Sequence, residues 1–524
     1  MTEDKISKQV SVCHLYNLAN VAYGYGKILD EFGVESHVYT HDTNHLMSQP
    51  EWDDIDLNAE DFPDENNFYN NTADLGGYER PVWFNEIQIL DVWKVHNDYS
   101  ESLFSRGFNA FNRVLTKIWK VFPESVKRVT RPTLRTIYYE YFFSILFRFK
   151  HGVIEDVEEA EQPKDSVEVS DVDNFEKHGD LIVSRSEKNF FKQSIQRYRS
   201  NIKTISKESQ QYGNDWILEE KFLATYIYHA FWHDCVSQNS KIVFAYVLTP
   251  IYAMIAGSKP FVAIEIGTLR EIPFQGDQLG RALAMAYRKS NKVIITNPDV
   301  KAQADILGLG NYAFCPHPYN GLAYKRSDGR FETRNQILSK YEVDTILFCP
   351  ARQNWRLKGN DKYLLAFSKF LQKGYKAVMI IPGWGQEIDR SKKYCNKLGI
   401  SDSVIWIKPQ SESSLSKYYQ ASDFVLDQFQ LGVFGLTTPK ALACGAVVLT
   451  SYSHDINKWC FPTKPPVQEC DSAQEICDNL VKIVGSDELR ESIVHEGISW
   501  MDRFHSGEVI SRKLESIISE VLTN

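Results

Sequence analysis

The sequence predicts an α/β fold of two domains facing a cleft, and three observations predict it. Residues 10–41 run strand, loop, helix, strand, the pattern of a parallel βαβ unit. Residues 345–452 repeat the same alternation several times over. Between these halves, GNYAFCPHPYNGLAYKRSDGR (310–330) has the turn residues of a crossover, which places a domain boundary near 318–340.

Each element follows from local pattern. VSVCHLY is an apolar strand, NLANVAYGYGKILDEFG a loop and helix closing at Gly33, and VESHVYT the next strand. Residues 46–100 are acidic and aromatic without a clear period. Strands return with KIVFAYV, PFVAIEI and KVIITN, and GRALAMAYRKS reads as a helix between them. In the second half TILFCPA, YKAVMIIPG, SVIWI, DFVLDQF and AVVLTSY are strands. Helices KYLLAFSKFLQKG, DRSKKYCNKLG, SSLSKYYQAS and TPKALACG alternate with them, and SAQEICDNLVKIVG and DELRESIVHEGISWMDRF begin the helical end. Thr438 suits an N-cap, Pro439 a first turn and Gly445 a C′ position.

The expected organisation is an N-terminal domain over 1–320, a C-terminal domain over 321–490, and terminal helices over 491–524 that pack back on the first domain. Residues 46–240 hold an insertion. Within it, 104–151 carries ten Lys/Arg against two Glu amid dense aromatics, and 155–173 swings acidic. Two readings of 104–151 stay open: a surface for anionic membranes, or a helical insertion whose aromatics pack on the first domain. The acidic 155–173 reads as a solvated linker.

Composition narrows the class. With 524 residues, 43% apolar and 24% charged, the chain has material for large cores. A net charge of −9 argues against a nucleic-acid partner. The N-terminus lacks a signal-peptide core and no apolar run is long enough for a membrane span. Nine cysteines form no C-x-x-C pair. A cytoplasmic setting, with the inner face of a membrane within reach of 104–151, is expected. No His/Glu metal cluster, phosphate loop of the G-x-x-x-x-G-K-[ST] kind or G-x-G-x-x-G appears. The D-x-D runs at 54–56 and 171–173 read as solvated charge.

Ligands of such sheets bind at the carboxyl ends of strands, and the candidate residues cluster there. CPARQNWRLKGND offers Arg352, Arg356 and Lys358, either a diphosphate grip or a solvated basic turn. PGWGQE puts Gly383 and Trp384 after a buried strand, where the ring would stack on a base or cover the core. LGVFGLTTPKALACG leads a glycine loop (Gly432, Phe434, Gly435, Leu436, Thr437, Thr438) into a helix N-terminus bearing Lys440, a place that attracts anions. IEIGTLREIPF brings Glu265, Gly267, Thr268 and Arg270 to the first sheet's edge. There Arg270 would grip an anion or pair with a surface acid.

The ordered set ARQNWRLKGNDKYLLAF, MIIPGWGQE, YYQASDFVLDQF and GVFGLTTPKALACGAVVLTSY resembles retaining GT-B glycosyltransferases of the family 4 type. The likeness is good over about 340–470 and looser over the first half. It implies two Rossmann-like domains and a nucleotide-diphosphate sugar as co-substrate, with no other cofactor and no metal. The acceptor would be a glycan or lipid-linked. The family's Arg…Lys pair for the donor diphosphate falls on Arg352 and Lys358, and Gly432–Leu436 would approach the transferred sugar. Asn20, Glu265, Gly267 and Thr268 fall on the acceptor side.

This sequence departs from the family twice. Its Glu-x7-Glu positions are Gly432 and Lys440, neither of which can accept a sugar hydroxyl proton. Its first-domain His position is Ile266. Arg270 and Asp427 therefore join Arg352 and Lys358 as catalytic candidates, with Gln428 and Glu265 as substitutes. Lys440 is expected to add a third cation to the diphosphate grip. A non-catalytic sugar-nucleotide or glycan-binding homologue is the alternative.

Overall fold

The computed structural model describes residues 10–41, 46–57, 77–87, 185–213 and 216–523. The stretches 104–151 and 155–173, and the D-x-D at 171–173, lie outside the described residues. The chain divides into one compact unit of Met1–Ile89 with Gln193–Asn524, which holds both sheets, and another of Leu90–Lys192.

The first sheet takes the order β3-β2-β1-β4-β5-β6-β7. Its strands are β1 (Ser11–Leu15), β2 (Glu35–His41), β3 (Phe84–Ile87), β4 (Ile242–Tyr246), β5 (Phe261–Glu265), β6 (Lys292–Ile295) and β7 (Tyr312–Phe314). Helices α1 (Val21–Glu31), α2 (Pro50–Asp54), α3 (Arg185–Ser209), α4 (Ile227–Ser237), α5 (Thr249–Ala256) and α6 (Gln278–Lys289) join them. The second sheet takes the order β10-β9-β8-β11-β12-β13. Its strands are β8 (Thr345–Phe348), β9 (Ala377–Pro382), β10 (Val404–Ile407), β11 (Phe424–Leu426), β12 (Val447–Thr450) and β13 (Gln468–Glu469). Around it stand α7 (Arg330–Tyr341), α8 (Asn360–Gln372), α9 (Ile388–Leu398), α10 (Glu412–Ala421), α11 (Thr437–Cys444), α12 (Ala473–Val484) and α13 (Asp487–His505). Pairing is parallel throughout both sheets. The α/β class with two Rossmann-like sheets is thus observed.

The strands read as unbroken apolar runs because helices cover both faces of a parallel sheet. Every residue of β1, β4, β5, β8 and β9 is buried. Two helix ends show why the chain turns where it does. Gly33, at φ +84°, follows α1, and Gly445, at φ +76°, closes α11, left-handed conformations that cost a β-carbon-bearing residue about 1–2 kcal/mol. At the start of α11 the expectation fails by two residues. The helix begins at Thr437 with Leu436 as its cap, because the Thr438 hydroxyl bonds Asp427 Oδ2 at 2.8 Å instead of capping.

The terminal helices serve different sheets. On α13, Val494 packs in one core of the second sheet, and Trp500 and Met501 in its other. The last helix, α14 (Gly507–Thr523), lays Ile510, Leu514, Ile517, Ile518 and Val521 into the core of the first sheet beside Val12, Phe244 and Ile264. That spacing is one helical stripe. Each such side chain contributes roughly 1.5–3 kcal/mol of gross burial energy, so the chain end clasps the sheet opposite the one it has just left.

Candidate functional site

Both sheets reverse direction in strand order at one point, between β1 and β4 in the first and between β8 and β11 in the second. Loops leaving such points diverge and open a crevice at the carboxyl edge. In the second sheet these are the loops after β8 and β11.

The β8 loop is held by neutral side chains and by Glu387, whose Oε2 accepts from Trp355 N at 2.7 Å. Gln353 is fully buried. Its backbone N–H donates to Trp384 O at 2.9 Å, and its side-chain carbonyl accepts from Ser391 Oγ at 2.7 Å. Asn354 caps the turn Trp355–Lys358, accepting from Leu357 N at 3.0 Å, and Asn360 Oδ1 accepts from Asn354 N at 2.8 Å. With those contacts met inside the loop, the cations are left over. Arg352 is exposed and Lys358 half-buried, and neither has an ion-pair partner among the described residues. The loop after β9 runs alongside. Gly383 donates to Ile407 O at 2.8 Å, and the half-buried Trp384 indole donates to Pro350 O at 3.2 Å, drawing the ring over the strand end.

The β11 loop is organised by one buried amide. Gln428 Oε1 accepts from Gln430 N at 3.0 Å and Leu431 N at 2.7 Å, while Nε2 donates to Val433 O and Ser451 O. Gln428 is therefore committed to shaping the loop. Gly432 sits at φ +67°, and an added β-carbon would stand 3.3 Å from Ser453 Cβ, so the family's Glu would be strained here. Phe434 packs its ring among Tyr452, Phe461 and Trp500. Gly435 faces open space. Asp427, 1% exposed, accepts from Thr438. Burial raises its carboxyl above the usual range, against the opposing Lys358 charge and the Thr438 and Thr437 hydrogen bonds. It anchors α11.

Lys440 does not join Arg352 and Lys358. It is 6% exposed, and its ammonium pairs with Glu412 Oε2 at 2.5 Å, 5.1 Å from the Tyr324 ring centroid. Tyr324 OH donates to the same carboxylate. The expectation of a third free cation is corrected: an acid from the start of α10 has taken that charge.

At the first sheet's edge, Arg270 makes a two-pronged pair with Asp299, Nε–Oδ2 2.7 Å and Nη2–Oδ1 2.8 Å. Of its two readings, the surface acid is the one observed. Glu265 is fully buried, accepts from Gly267 N and from Asn297 Nδ2, and is pushed up to about 7 by desolvation. Thr268 Oγ1 bonds Tyr287 OH at 2.6 Å. Asn20, at φ +56°, accepts from Asn17 at 2.8 Å and donates to Gln49 O at 2.7 Å.

The two sheets meet through residues that spacing alone does not single out. The 54–56 carboxylates are not simply solvated. Asp54 accepts from Tyr23, from Lys27 at 2.8 Å and from Tyr78 at 2.7 Å. Asp56 binds Ser414 and Lys417 on α10. Leu57 N donates to Ser411 Oγ at 3.2 Å, and Asn320 Nδ2 to Asp53 O at 3.3 Å. The Asp53 carboxyl is pushed up to about 7 by burial and by the nearby Glu412 charge. Glu412, Asp53, His317 and His505 carry no spacing signal, since each acquires its neighbours only through the fold.

Two Rossmann-ordered sheets, with a cation loop that has no ion-pair partner among the described residues, define an α/β protein of the GT-B type. Comparison with known families finds a match for the second sheet: residues 330–495 match the family described as glycosyl transferases group 1. An uncharacterized glycosyltransferase of Methanocaldococcus jannaschii is 26% identical over 117 residues, 21% of this chain and 30% of that one. The alpha-monoglucosyldiacylglycerol synthase of Streptococcus pneumoniae is 26% identical over 129 residues, 24% of this chain and 29% of that one. The chain thus spans about 30% of the length of these curated relatives. Among solved structures, an Anabaena protein in complex with UDP-glucose superposes with a TM-score of 0.47 at 14% identity, covering 55% of this chain and 81% of that one. Among the described residues no helix is long and apolar enough to cross a membrane.

Proposed function

We propose that the protein transfers a glycosyl group from a nucleotide-diphosphate sugar to a glycan or lipid-linked acceptor, with retention and without a metal. One observation carries this reading. Arg352 and Lys358 have no ion-pair partner among the described residues at the carboxyl edge of the second sheet's switch point, while Arg270 and Lys440 are each held by an acid. Fixed cations with no partner of their own are positioned for an anionic ligand, and a leaving diphosphate is such an anion. The N-terminus of α11 adds its partial positive charge. Together these supply the charge stabilisation that a divalent ion supplies elsewhere, which supports the metal-independent reading. Front-face attack, in which the leaving phosphate takes the acceptor proton, needs no protein base. That suits a site whose Asp427 and Gln428 are engaged in holding a helix and a loop. The same engagement is what favours the alternative, a sugar-nucleotide-binding protein without turnover.

The test is product formation from a panel of UDP-, GDP-, ADP- and dTDP-sugars. Arg352→Ala and Lys358→Ala are each expected to lower turnover about 100-fold or more, the scale of losing one preorganised charge contact. Wild-type turnover in both variants would overturn the assignment. Binding with no turnover in the wild type would leave the alternative standing.

A further inference from the structure

We infer that a small pocket between the sheets, lined by His317 and His505, binds a hydroxyl group of a neutral sugar. This rests on the function proposed above and names a recognition element for it. His505 ends α13, is 3% exposed, and stacks near Phe461 (5.3 Å) and Trp500 (5.1 Å). Among the described residues neither of its ring nitrogens has a hydrogen-bond partner, and His317 Nδ1, equally shielded, has none either. Leaving one buried polar group unpaired costs about 1–3 kcal/mol. Three such atoms on two residues that line one pocket leave room for a partner from outside the described residues.

The pocket tells what that partner is. Thr296, Pro298, Phe314 and Pro316 line it from the first sheet's side, and Phe434, Gly435 and Pro439 from the second's. Its open volume is about 10 Å³, room for one water-sized group. Burial, with the neighbouring cations, holds both imidazoles far below their ordinary range, His317 at about 4 and His505 at about 3. Neutral imidazoles offer one donor and one acceptor each; a hydroxyl can use both, whereas an anion can use only the donor. Phenylalanine walls beside a hydroxyl-sized polar niche suit a carbohydrate, whose C–H faces are apolar. The niche also adjoins Gly435 in the loop that follows β11, so a sugar held near Arg352 and Lys358 lies on its approach. The hydroxyl belongs to the donor sugar or to the acceptor sugar, and the assay separates the two.

The variants are His505→Phe, which keeps the ring and removes its nitrogens; His505→Gln, which keeps a donor and an acceptor; and Gly435→Val. The last narrows the pocket mouth without backbone strain, because its added β-carbon meets nothing within 4 Å. Calorimetry on the full chain compares UDP-glucose, GDP-mannose, ADP-glucose and dTDP-glucose with the bare nucleoside diphosphates. If the donor sugar fills the pocket, His505→Phe and Gly435→Val lose about tenfold in affinity for the sugar nucleotide, the bare diphosphate binds as before, and His505→Gln recovers part of the loss. If the acceptor fills it, donor binding is unchanged, and KM for methyl glycosides rises about tenfold at saturating donor. Should neither quantity move, the pocket holds water only and the inference is overturned while the proposed function stands. Should the wild type bind none of the four sugar nucleotides, both fall.

Discussion

Lys440→Met separates the structural reading of this lysine from the catalytic one. Methionine keeps the length and much of the volume, so the change is mainly one of charge. In the folded protein the Lys440 and Glu412 side chains are 8% and 17% exposed. Removing the lysine leaves Glu412 without its counter-ion, beside a half-buried Asp53. Breaking a buried pair at one partner costs about 3–5 kcal/mol. At about 2–4 °C per kcal/mol, the thermal midpoint should fall by roughly 6–20 °C. Pairing the change with Glu412→Gln removes the stranded charge, and the amide oxygen so introduced still accepts the Tyr324 hydroxyl proton. The double variant should therefore regain most of the loss, since an apolar replacement of a whole buried pair is close to neutral. Lys440→Glu is worse than Lys440→Met, because two carboxylates at about 4 Å repel by roughly 4 kcal/mol at an effective dielectric of 20. The assay is differential scanning fluorimetry of these variants beside the wild type. If Lys440→Met melts with the wild type and loses only donor affinity, Lys440 grips the diphosphate after all and the ion-pair argument is wrong.

Two further outcomes follow from the described geometry. Gly432→Ala or Gly432→Glu should destabilise by about 1–2 kcal/mol, because each forces a β-carbon into a left-handed position at 3.3 Å from Ser453. Urea midpoints check this, and a Gly432→Glu variant both as stable as and more active than the wild type would reverse it. Stability should rise with pH from about 5 to about 7. His14, His229, His317 and His505 are held low, at about 3 to 4, so below about pH 6.5 the unfolded chain binds protons that the folded one refuses. Glu265 and Asp53, raised to about 7, act with the opposite sign and fade as pH rises. Four imidazoles against two carboxyls leave a net uptake of about two protons on unfolding near pH 5.5, or ~2–3 kcal/mol per pH unit. Equal thermal midpoints at pH 5 and pH 7 would refute it.

What the sequence makes legible, and what it hides, divides along one physical line. Central strands such as FVAIE and TILF announce themselves because burial on both faces demands unbroken apolar runs. Edge strands carry no such demand. The edge strand VIWI at β10 is apolar enough to read as a strand, but FNEI at β3, YAF at β7 and QE at β13 are too short or too polar to announce themselves. The same line runs through the site. Arg352 and Lys358 are readable because a loop after a strand exposes its side chains wherever the strand lies, so residue type and position suffice. Lys440 is misread because its charge is decided by Glu412, 28 residues earlier on a different helix. Asp54 and Asp56 are misread in the same way, through tyrosines and lysines that only the closed fold brings near. A charged residue on a surface loop keeps the role its chemistry suggests, whereas one inside the structure has the role its partner leaves it. The unpaired nitrogens of His505 carry that rule to its limit. There the fold has buried a polar ring and supplied it no partner among the described residues.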